Sequence, residues 1–341
     1  MERIGKKKKP LSGNLITLAI VCVLFAVAFI MVETGNASRH MTSMLVPICI
    51  NIILAVSLNL TVGFLGELTL GHAGFMSVGA YAGCLFSIAM QDILPTAVRF
   101  PLAMLVGGLV AAVFGVIIGI PVLRLRGDYL AIVTLAFGEI IRSVIINLEF
   151  TGGAAGLKGT PQDSTFTIAF VVVIITLVVC MNLVNSRHGR AIVAVRDNRI
   201  AAEASGINVT YYRMLAFVLA AFFAGIAGVL YGHNLSILSA STFDYTKSIE
   251  LLVIVVLGGM GSIRGSVISA IIITVLPEAL RELADFRMLI YSLVLIVMML
   301  LNASPRFAVV KGKLNYGALM DAIRKNRAAK KSGKEGENDG K

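Results

Sequence analysis

The chain has 341 residues, of which 57% are hydrophobic and only 14% are charged. Soluble domains carry about 25% charged residues, so this composition excludes an ordinary soluble protein and indicates a polytopic membrane protein. The formal net charge of +11 is concentrated beside apolar runs, at Lys6–Lys9, within 185–213 and after Arg306. Positive charge placed in this way is typical of cytoplasmic loops. No separate basic domain is present to bind nucleic acid, so we expect no nucleic-acid partner.

Apolar runs, several of them near the length that crosses a bilayer, recur along the chain. They predict an all-α, polytopic helical bundle of about ten transmembrane helices, at approximately 15–32, 44–62, 68–90, 101–123, 129–148, 165–184, 214–232, 248–257, 266–280 and 288–303. The eighth and ninth runs are short and are separated by glycines. We interpret them as two spans that meet at a tight turn, with one long span or a re-entrant pair as alternatives.

The positions of lysine and arginine predict the orientation of the bundle. With ten spans, most of the 30 lysines and arginines fall on the side of the amino terminus, so both termini are predicted to be cytoplasmic. The chain then divides into a basic N-terminus (1–14), a transmembrane domain (15–303) with a long cytoplasmic loop (185–213), and a basic, disordered cytoplasmic tail (304–341). Membrane lipid is the expected surrounding of the middle part.

Two glycine clusters interrupt the apolar runs. The first lies in the stretch GFLGELTLGHAGFMSVGAYAGCL at 63–85, and the second lies at 258–265. Because lipid cannot satisfy a backbone amide, a segment that breaks and stays apolar must be buried in protein or line a cavity. Broken helices of this kind mark the translocation path of many transporters. The residues predicted to form hinges and to border such a path are Gly63, Gly66, Gly71, His72, Gly258 and Gly261.

Small residues elsewhere predict tight packing between helices. Three pairs at four-residue spacing carry this pattern: Gly79 with Gly83, Gly115 with Gly119, and Gly228 with Gly232. The four cysteines all lie in apolar runs and form no CxxC spacing, which predicts buried, unpaired thiols at Cys22, Cys49, Cys84 and Cys180.

Two ionisable residues, Glu139 and Arg142, lie inside an apolar run. They are three residues apart, hence on one helical face and close enough to pair. Charge at membrane depth is costly and is by default a functional hypothesis. Two interpretations stay open: a self-neutralising pair that packs the bundle, or a pair with a direct role in function.

The sequence offers no set of residues for catalysis. It contains no GxxxxGK[ST], HExxH or GxSxG pattern, and it lacks the clustered histidines and carboxylates of membrane enzymes. We therefore expect neither an ATPase site nor a metal or cofactor site in this chain.

The loop at 185–213 is the most informative part outside the spans. It is longer than a minimal connection, and apolar residues recur in it at helix-like intervals, at Ile192, Val195, Ile200 and Ala204. Asp197 and Asn198 predict a cap between two short helices, and Gly206 predicts a helix stop. A cytoplasmic helix-turn-helix rich in small residues favours docking into a groove of a partner over a solvated linker.

Five blocks of the sequence together resemble a known family. They are GELTLGHAGFMSVGAY (66–81), GDYLAIVTLAFGEIIR (127–142), TGGAAGLKGTP (151–161), RAIVAVRDNRIAAEASGINV (190–209) and LLVIVVLGGMGSIRGSVISA (251–270). In this order they resemble the permease subunits of branched-chain amino acid ABC importers, and the M-type more than the H-type. The similarity covers roughly residues 40 to 305.

The resemblance implies a subunit that works in an assembly. Its expected partners are a homologous second permease, two cytoplasmic ATP-binding subunits that bind the ATP, and an extracytoplasmic amino-acid-binding protein. It implies a multi-pass protein of a bacterial plasma membrane, and it makes the 190–209 segment the coupling element that sits on an ATPase. The segment resembles the EAA loop of other importers but lacks that loop's Ile-x-Leu-Pro ending. The residues expected to couple are Arg190, Arg196, Asp197, Asn198, Ala201, Ala202 and Gly206.

The function that follows is translocation of branched-chain amino acids, driven by separate ATPase subunits. Two alternatives stay open from the sequence alone. One is a permease of the same superfamily for urea, short amides or sugars; the other is an ion-coupled carrier or channel that works without an ATPase.

Overall fold

A computed structural model describes residues 39–279, except residue 126, together with the isolated residues 29, 292, 293, 296 and 300. Within this part the chain is almost wholly helical, which confirms a helical membrane protein. Six of the described helices are long and apolar enough to cross a membrane. The first and tenth predicted spans lie almost entirely outside the described residues, as do both termini.

The helices follow one another with short connections. They are α1 (Arg39–Asn59), continued by a π-helical turn (Leu60–Leu65), then α2 (His72–Ala89), α3 (Thr96–Val122), α4 (Asp128–Asn147), α5 (Phe166–Asn185), α6 (Arg187–Asp197), α7 (Arg199–Ala204), α8 (Val209–Gly232), α9 (Tyr245–Gly258) and α10 (Ile263–Ala279). The predicted eighth and ninth spans are thus two separate helices, of 14 and 17 residues. Both are shorter than the six candidate spans.

Helix α1 lies at the centre of the described bundle. Together with its π-helical turn it is the most buried of the six candidate spans, with 83% of its apolar window covered by protein, against 33–39% for α3, α4 and α5. It packs against α5, α8, α9 and α10. Its position explains its composition, because a helix that is apolar on every side is stable only where protein or lipid surrounds it.

Helices α2, α3 and α8 meet at glycines. A Cβ atom built on Gly79 of α2 would lie 2.2 Å from the Cα atom of Gly225 on α8, and one built on Gly107 of α3 would lie 2.6 Å from the carbonyl oxygen of Gly79. One built on Gly228 would lie 2.0 Å from the Met76 carbonyl oxygen. The backbones therefore touch at these points, as the small-residue spacing predicts. Cys49, Cys84 and Cys180 are buried and unpaired, as predicted; Cys22 lies outside the described residues.

The loops at the far end of the bundle from α6 and α7 form a rim, which we call the outer rim. Two-residue strands β1 (Leu157–Lys158) and β2 (Ile237–Leu238) pair antiparallel there, a minor exception to the all-α prediction. Arg99 at the start of α3 forms an ion pair of 2.6 Å with Asp163, and the Tyr81 hydroxyl donates to the Leu238 carbonyl at 2.9 Å. These three contacts join loops of the rim that lie far apart in the chain.

We predict that Gly79→Ala destabilises the protein. The new methyl group would overlap the backbone of Gly225 and push α2 and α8 apart, so we expect the free energy of unfolding to fall by about 1–3 kcal/mol. Thermal unfolding of the detergent-solubilised protein measures this. The matched control is Gly138→Ala, whose Cβ would meet no atom closer than 3.8 Å. Equal unfolding temperatures for the two variants would contradict the contact.

Candidate functional site

The first glycine cluster breaks the chain where the sequence predicts. Helix α1 passes into the π-helical turn, which ends at Gly66 with φ of +78°, and α2 begins only at His72. The left-handed conformation at Gly66 is one that glycine adopts without steric cost. Gly63 has no room for a side chain either, because its Cβ would lie 1.8 Å from the Oδ1 atom of Asn59.

The second glycine cluster forms the turn between α9 and α10. Gly261 has φ of +78°, and the backbones of Gly258 and Gly265 approach so closely that a Cβ on Gly258 would lie 2.4 Å from the carbonyl carbon of Gly265. The two clusters meet in space. The Asn59 side chain joins them, since its Oδ1 accepts from the Gly261 amide at 2.9 Å and its Nδ2 donates to the Ser266 hydroxyl at 3.0 Å.

An arginine of the loop at 185–213 reaches the same place. The Nη1 atom of Arg196 donates to the Gly63 carbonyl at 3.2 Å, and the arginine stem packs on Gly66, where a Cβ would lie 2.5 Å from the Arg196 Cγ. Asp197 holds the guanidinium through two bonds of 3.0 and 2.9 Å. We call this assembly the hinge junction; it consists of Asn59, Gly63, Gly66, Arg196, Gly261 and Ser266.

A buried ion pair lies beside the hinge junction. Arg213, in the first turns of α8, pairs with Glu67 in the segment between the π-helical turn and α2, and their side chains are 7% and 19% exposed. The same guanidinium donates to the carbonyls of Leu123 and Leu125 after α3. Burial raises the pKa of the Glu67 carboxyl, while the charge of Arg213 acts in the opposite direction. Arg213 thus ties three segments at the end of the bundle that carries α6 and α7.

The start of α2 is held by polar side chains of neighbouring helices. His72 is buried and shares a hydrogen bond of 2.9 Å with the Ser57 hydroxyl. The Ala73 amide donates to the Ser248 hydroxyl at 3.2 Å. Gly71 packs against the backbone of Thr134 on α4. His72 and Gly71 therefore contact α1, α4 and α9, and they are not part of the hinge junction.

The loop at 185–213 contains two short helices, α6 and α7, as predicted. Asp197 ends α6, the Asn198 side chain caps α7 by accepting from the Ala201 amide at 3.0 Å, and Gly206, with φ of +81°, follows the end of α7. One face of the pair packs inward, through Ile192, Val195 and Ala202, against a cluster that includes Leu65 and Ala216.

The predicted apolar periodicity is wrong in α7. Ile200 and Ala204 do not join the packed face; Ile200 is 80% exposed and Ala204 is also exposed. The reason is the cap at Asn198, where the chain changes direction, so the spacing of α6 does not continue into α7. Ala201, Ala204 and Gly206 are exposed beside Ile200, and Arg190 is exposed on α6. Ile200, Ala201, Ala204 and Gly206 form a small apolar patch on a surface that also exposes Arg190 and Glu203.

Glu139 and Arg142 lie away from the hinge junction. Their side chains form an ion pair of 2.8 Å and are 27% and 29% exposed. The second carboxylate oxygen of Glu139 accepts from the amide of Tyr245, the first residue of α9, at 2.8 Å. Both open interpretations survive, since the pair braces α9 and is also accessible from outside.

Asn59 and Arg213 hold the candidate site together, and the sequence analysis did not single them out. Asn59 had a signal, because it is a polar residue inside a long apolar run and stands four residues before Gly63. The only signal at Arg213 was its positive charge, and that charge was used to predict the orientation of the bundle. Neither the π-helical turn nor the partner of Glu67 can be read from local patterns.

Comparison with known proteins places these features in a family. A sequence profile described as "Branched-chain amino acid transport system / permease component" matches residues 40–303. The chain is 33% identical over 326 residues to the high-affinity branched-chain amino acid transport system permease protein LivM of Salmonella typhimurium strain LT2, covering 84% of this chain and 73% of the relative. LivM of Escherichia coli strain K12 is also 33% identical, over 321 residues, covering 82% and 72%. The ribose import permease protein RbsC of Haemophilus influenzae is 26% identical over 275 residues, covering 74% and 81%. No solved structure matches the chain significantly.

We predict that Arg213→Gln strongly destabilises the protein. The substitution leaves Glu67 buried without its partner, and breaking a buried ion pair costs about 3–5 kcal/mol. The yield and unfolding temperature of the purified protein measure this loss. Arg199→Gln is the matched control, because Arg199 pairs with Glu203 at the surface, where a pair contributes about 0–1 kcal/mol. The ion pair would have no structural role if both variants unfolded alike.

Proposed function

Since the chain belongs to the family of branched-chain amino acid transport permeases, we propose that it carries leucine, isoleucine and valine across the membrane as one permease subunit of an ABC importer. The family profile and the LivM relatives support this substrate class. The more distant ribose permease supports the general transport mode rather than a sugar substrate.

The proposal includes the finer architecture expected of such a subunit. It has ten spans with both termini in the cytoplasm of a bacterium, and it resides in the plasma membrane. It pairs with a homologous permease, receives amino acids from an extracytoplasmic binding protein, and has no ATPase site of its own. ATP is bound by two cytoplasmic subunits, one of which docks on α6 and α7.

The observation that carries the proposal is the contact between Arg196 and Gly63. It connects the loop expected to bind the ATPase directly to the two glycine breaks. Closing of the ATP-binding subunits would move α6, and Arg196 would transmit that movement to Gly63, Gly66 and Gly261. Helices α1 and α10 would then tilt about the hinge junction and open the path.

Docking and transmission rest on different side chains. The outward surface of α7, with Ile200 at its centre, suits a groove in a partner, because a side chain that is 80% exposed on a folded loop adds apolar area for an interface. Arg196 points the other way, toward the hinge junction. The two steps can therefore be separated by substitution.

In an importer co-expressed with its ATP-binding subunits, we predict that Ile200→Glu and Arg196→Ala differ in whether those subunits co-purify. Ile200→Glu places a charge in the docking surface, so the ATP-binding subunits should no longer co-purify. Arg196→Ala should retain them, while ATP-dependent leucine uptake into proteoliposomes falls at least ten-fold. The control is Ile237→Glu, an exposed position on the outer rim, which should retain the ATP-binding subunits.

Two results would contradict the proposal. Leucine uptake by the permease without any ATP-binding subunit would indicate an ion-coupled carrier. Normal uptake by Arg196→Ala would show that the hinge junction does not transmit the movement.

A further inference from the structure

Helix α4 exposes a groove with two unlike sides. The groove measures about 470 Å³ and is lined by Glu139, Ile140, Ser143, Val144, Asn147 and Leu148. The spacing of four residues separates these side chains into a polar stripe (139, 143, 147) and an apolar stripe (140, 144, 148). We call this feature the α4 groove. Helix α4 is also the least buried candidate span, with 33% of its apolar window covered.

The polar stripe is poorly suited to lipid. Ser143 and Asn147 are exposed, and Glu139 carries a charge 11 residues into a 20-residue span. Hydrocarbon cannot solvate such groups, and charged residues in spans face water-filled cavities or protein. The open face of α4 is therefore directed toward water or another subunit.

Glu139 in the groove and its partners beside the groove match the two charges of an amino acid. The Glu139 carboxylate is an acceptor for an ammonium group. Arg142 and Tyr245 lie outside the groove lining, and both donate to Glu139 at 2.8 Å. The Tyr245 amide has only this one N–H, whereas the Arg142 guanidinium has further N–H groups for a carboxylate. Arg142 presents its donors in a fork that fits a carboxylate, and the Tyr245 amide lies at the positive end of α9.

We propose that the α4 groove is a transit site for a zwitterionic amino acid with an aliphatic side chain, an inference that rests on the proposed function. The α-carboxylate binds the N–H groups of Arg142 that do not donate to Glu139, the ammonium group binds Glu139, and the aliphatic side chain contacts Ile140 and Val144. A neutral zwitterion adds no net charge to the ion pair that it engages. A substrate with a charged side chain is disfavoured, because that charge would lie against the apolar stripe.

Cysteine accessibility tests the site without depending on transport. In the assembled importer, Ser143→Cys should react with a charged, membrane-impermeant methanethiosulfonate, and millimolar leucine should slow the reaction at least three-fold, whereas millimolar lysine should not. The depth-matched control is Val171→Cys on α5. Val171 is exposed and lies five residues from the start of α5, as Ser143 lies four residues from the end of α4, and the loop 148–165 joins these two ends. The unsubstituted chain gives the background from native cysteines.

Three results would overturn the transit site. The groove does not face water if Ser143→Cys reacts no faster than Val171→Cys. It does not bind amino acids if Ser143→Cys reacts but leucine gives no protection, and it does not select aliphatic side chains if lysine protects equally.

A second variant measures transport through the groove. Val144→Phe fills the apolar stripe, so leucine uptake should fall at least ten-fold while ATP hydrolysis stimulated by the leucine-loaded binding protein is retained. Unchanged uptake by this variant would overturn the transit site. Failure of the unsubstituted importer to take up leucine with ATP would instead reject the proposed function, whatever the labelling shows.

Discussion

Lipid offers neither a donor nor an acceptor to a backbone amide, and the breaks in this bundle exist only because protein side chains meet that need. Asn59 is the central case, since its amide group satisfies the turn at Gly261 and bonds Ser266 at the same time. Arg196 and Arg213 supply donors to carbonyls that helices would otherwise have satisfied. The end of the bundle that carries α6 and α7 is thus built from irregular backbone and a few side chains that replace helical hydrogen bonds.

The two ends of the described bundle are held in different ways. At the outer rim, loops far apart in the chain are joined by a strand pair, by the Arg99–Asp163 ion pair and by the Tyr81 hydroxyl. At the opposite end the hinge junction depends on Asn59 and on Arg196, which comes from the loop at 185–213. The proposed movement of that loop would act on this end, while the close glycine contacts of α2, α3 and α8 hold the bundle between the two ends.

Much of this arrangement could be predicted from local sequence. Hydrophobic runs predicted the helices, glycines predicted the breaks, and Asp197 with Asn198 predicted the cap between α6 and α7. Each of these features depends on residues close together in the chain. The meeting of Gly63 with Gly261 could not be predicted, since it joins positions far apart in the chain. The exposure of Ile200 was missed for a related reason: a hydrophobic period has meaning only while the helix continues, and a single capping residue ends it.

The π-helical turn at the end of α1 gives the junction one more property. A π-helix accommodates an extra residue within the ladder of an α-helix, so Leu60–Leu65 holds a small reserve of chain length. Rewinding this turn into α-helix would rotate everything beyond it by about 100° and advance it by about 1.5 Å. Gly63 would turn its carbonyl away from Arg196 without any bond in the rest of α1 being broken. The chain beyond the first break could therefore change position by a shift in helical register as well as by a tilt of α1.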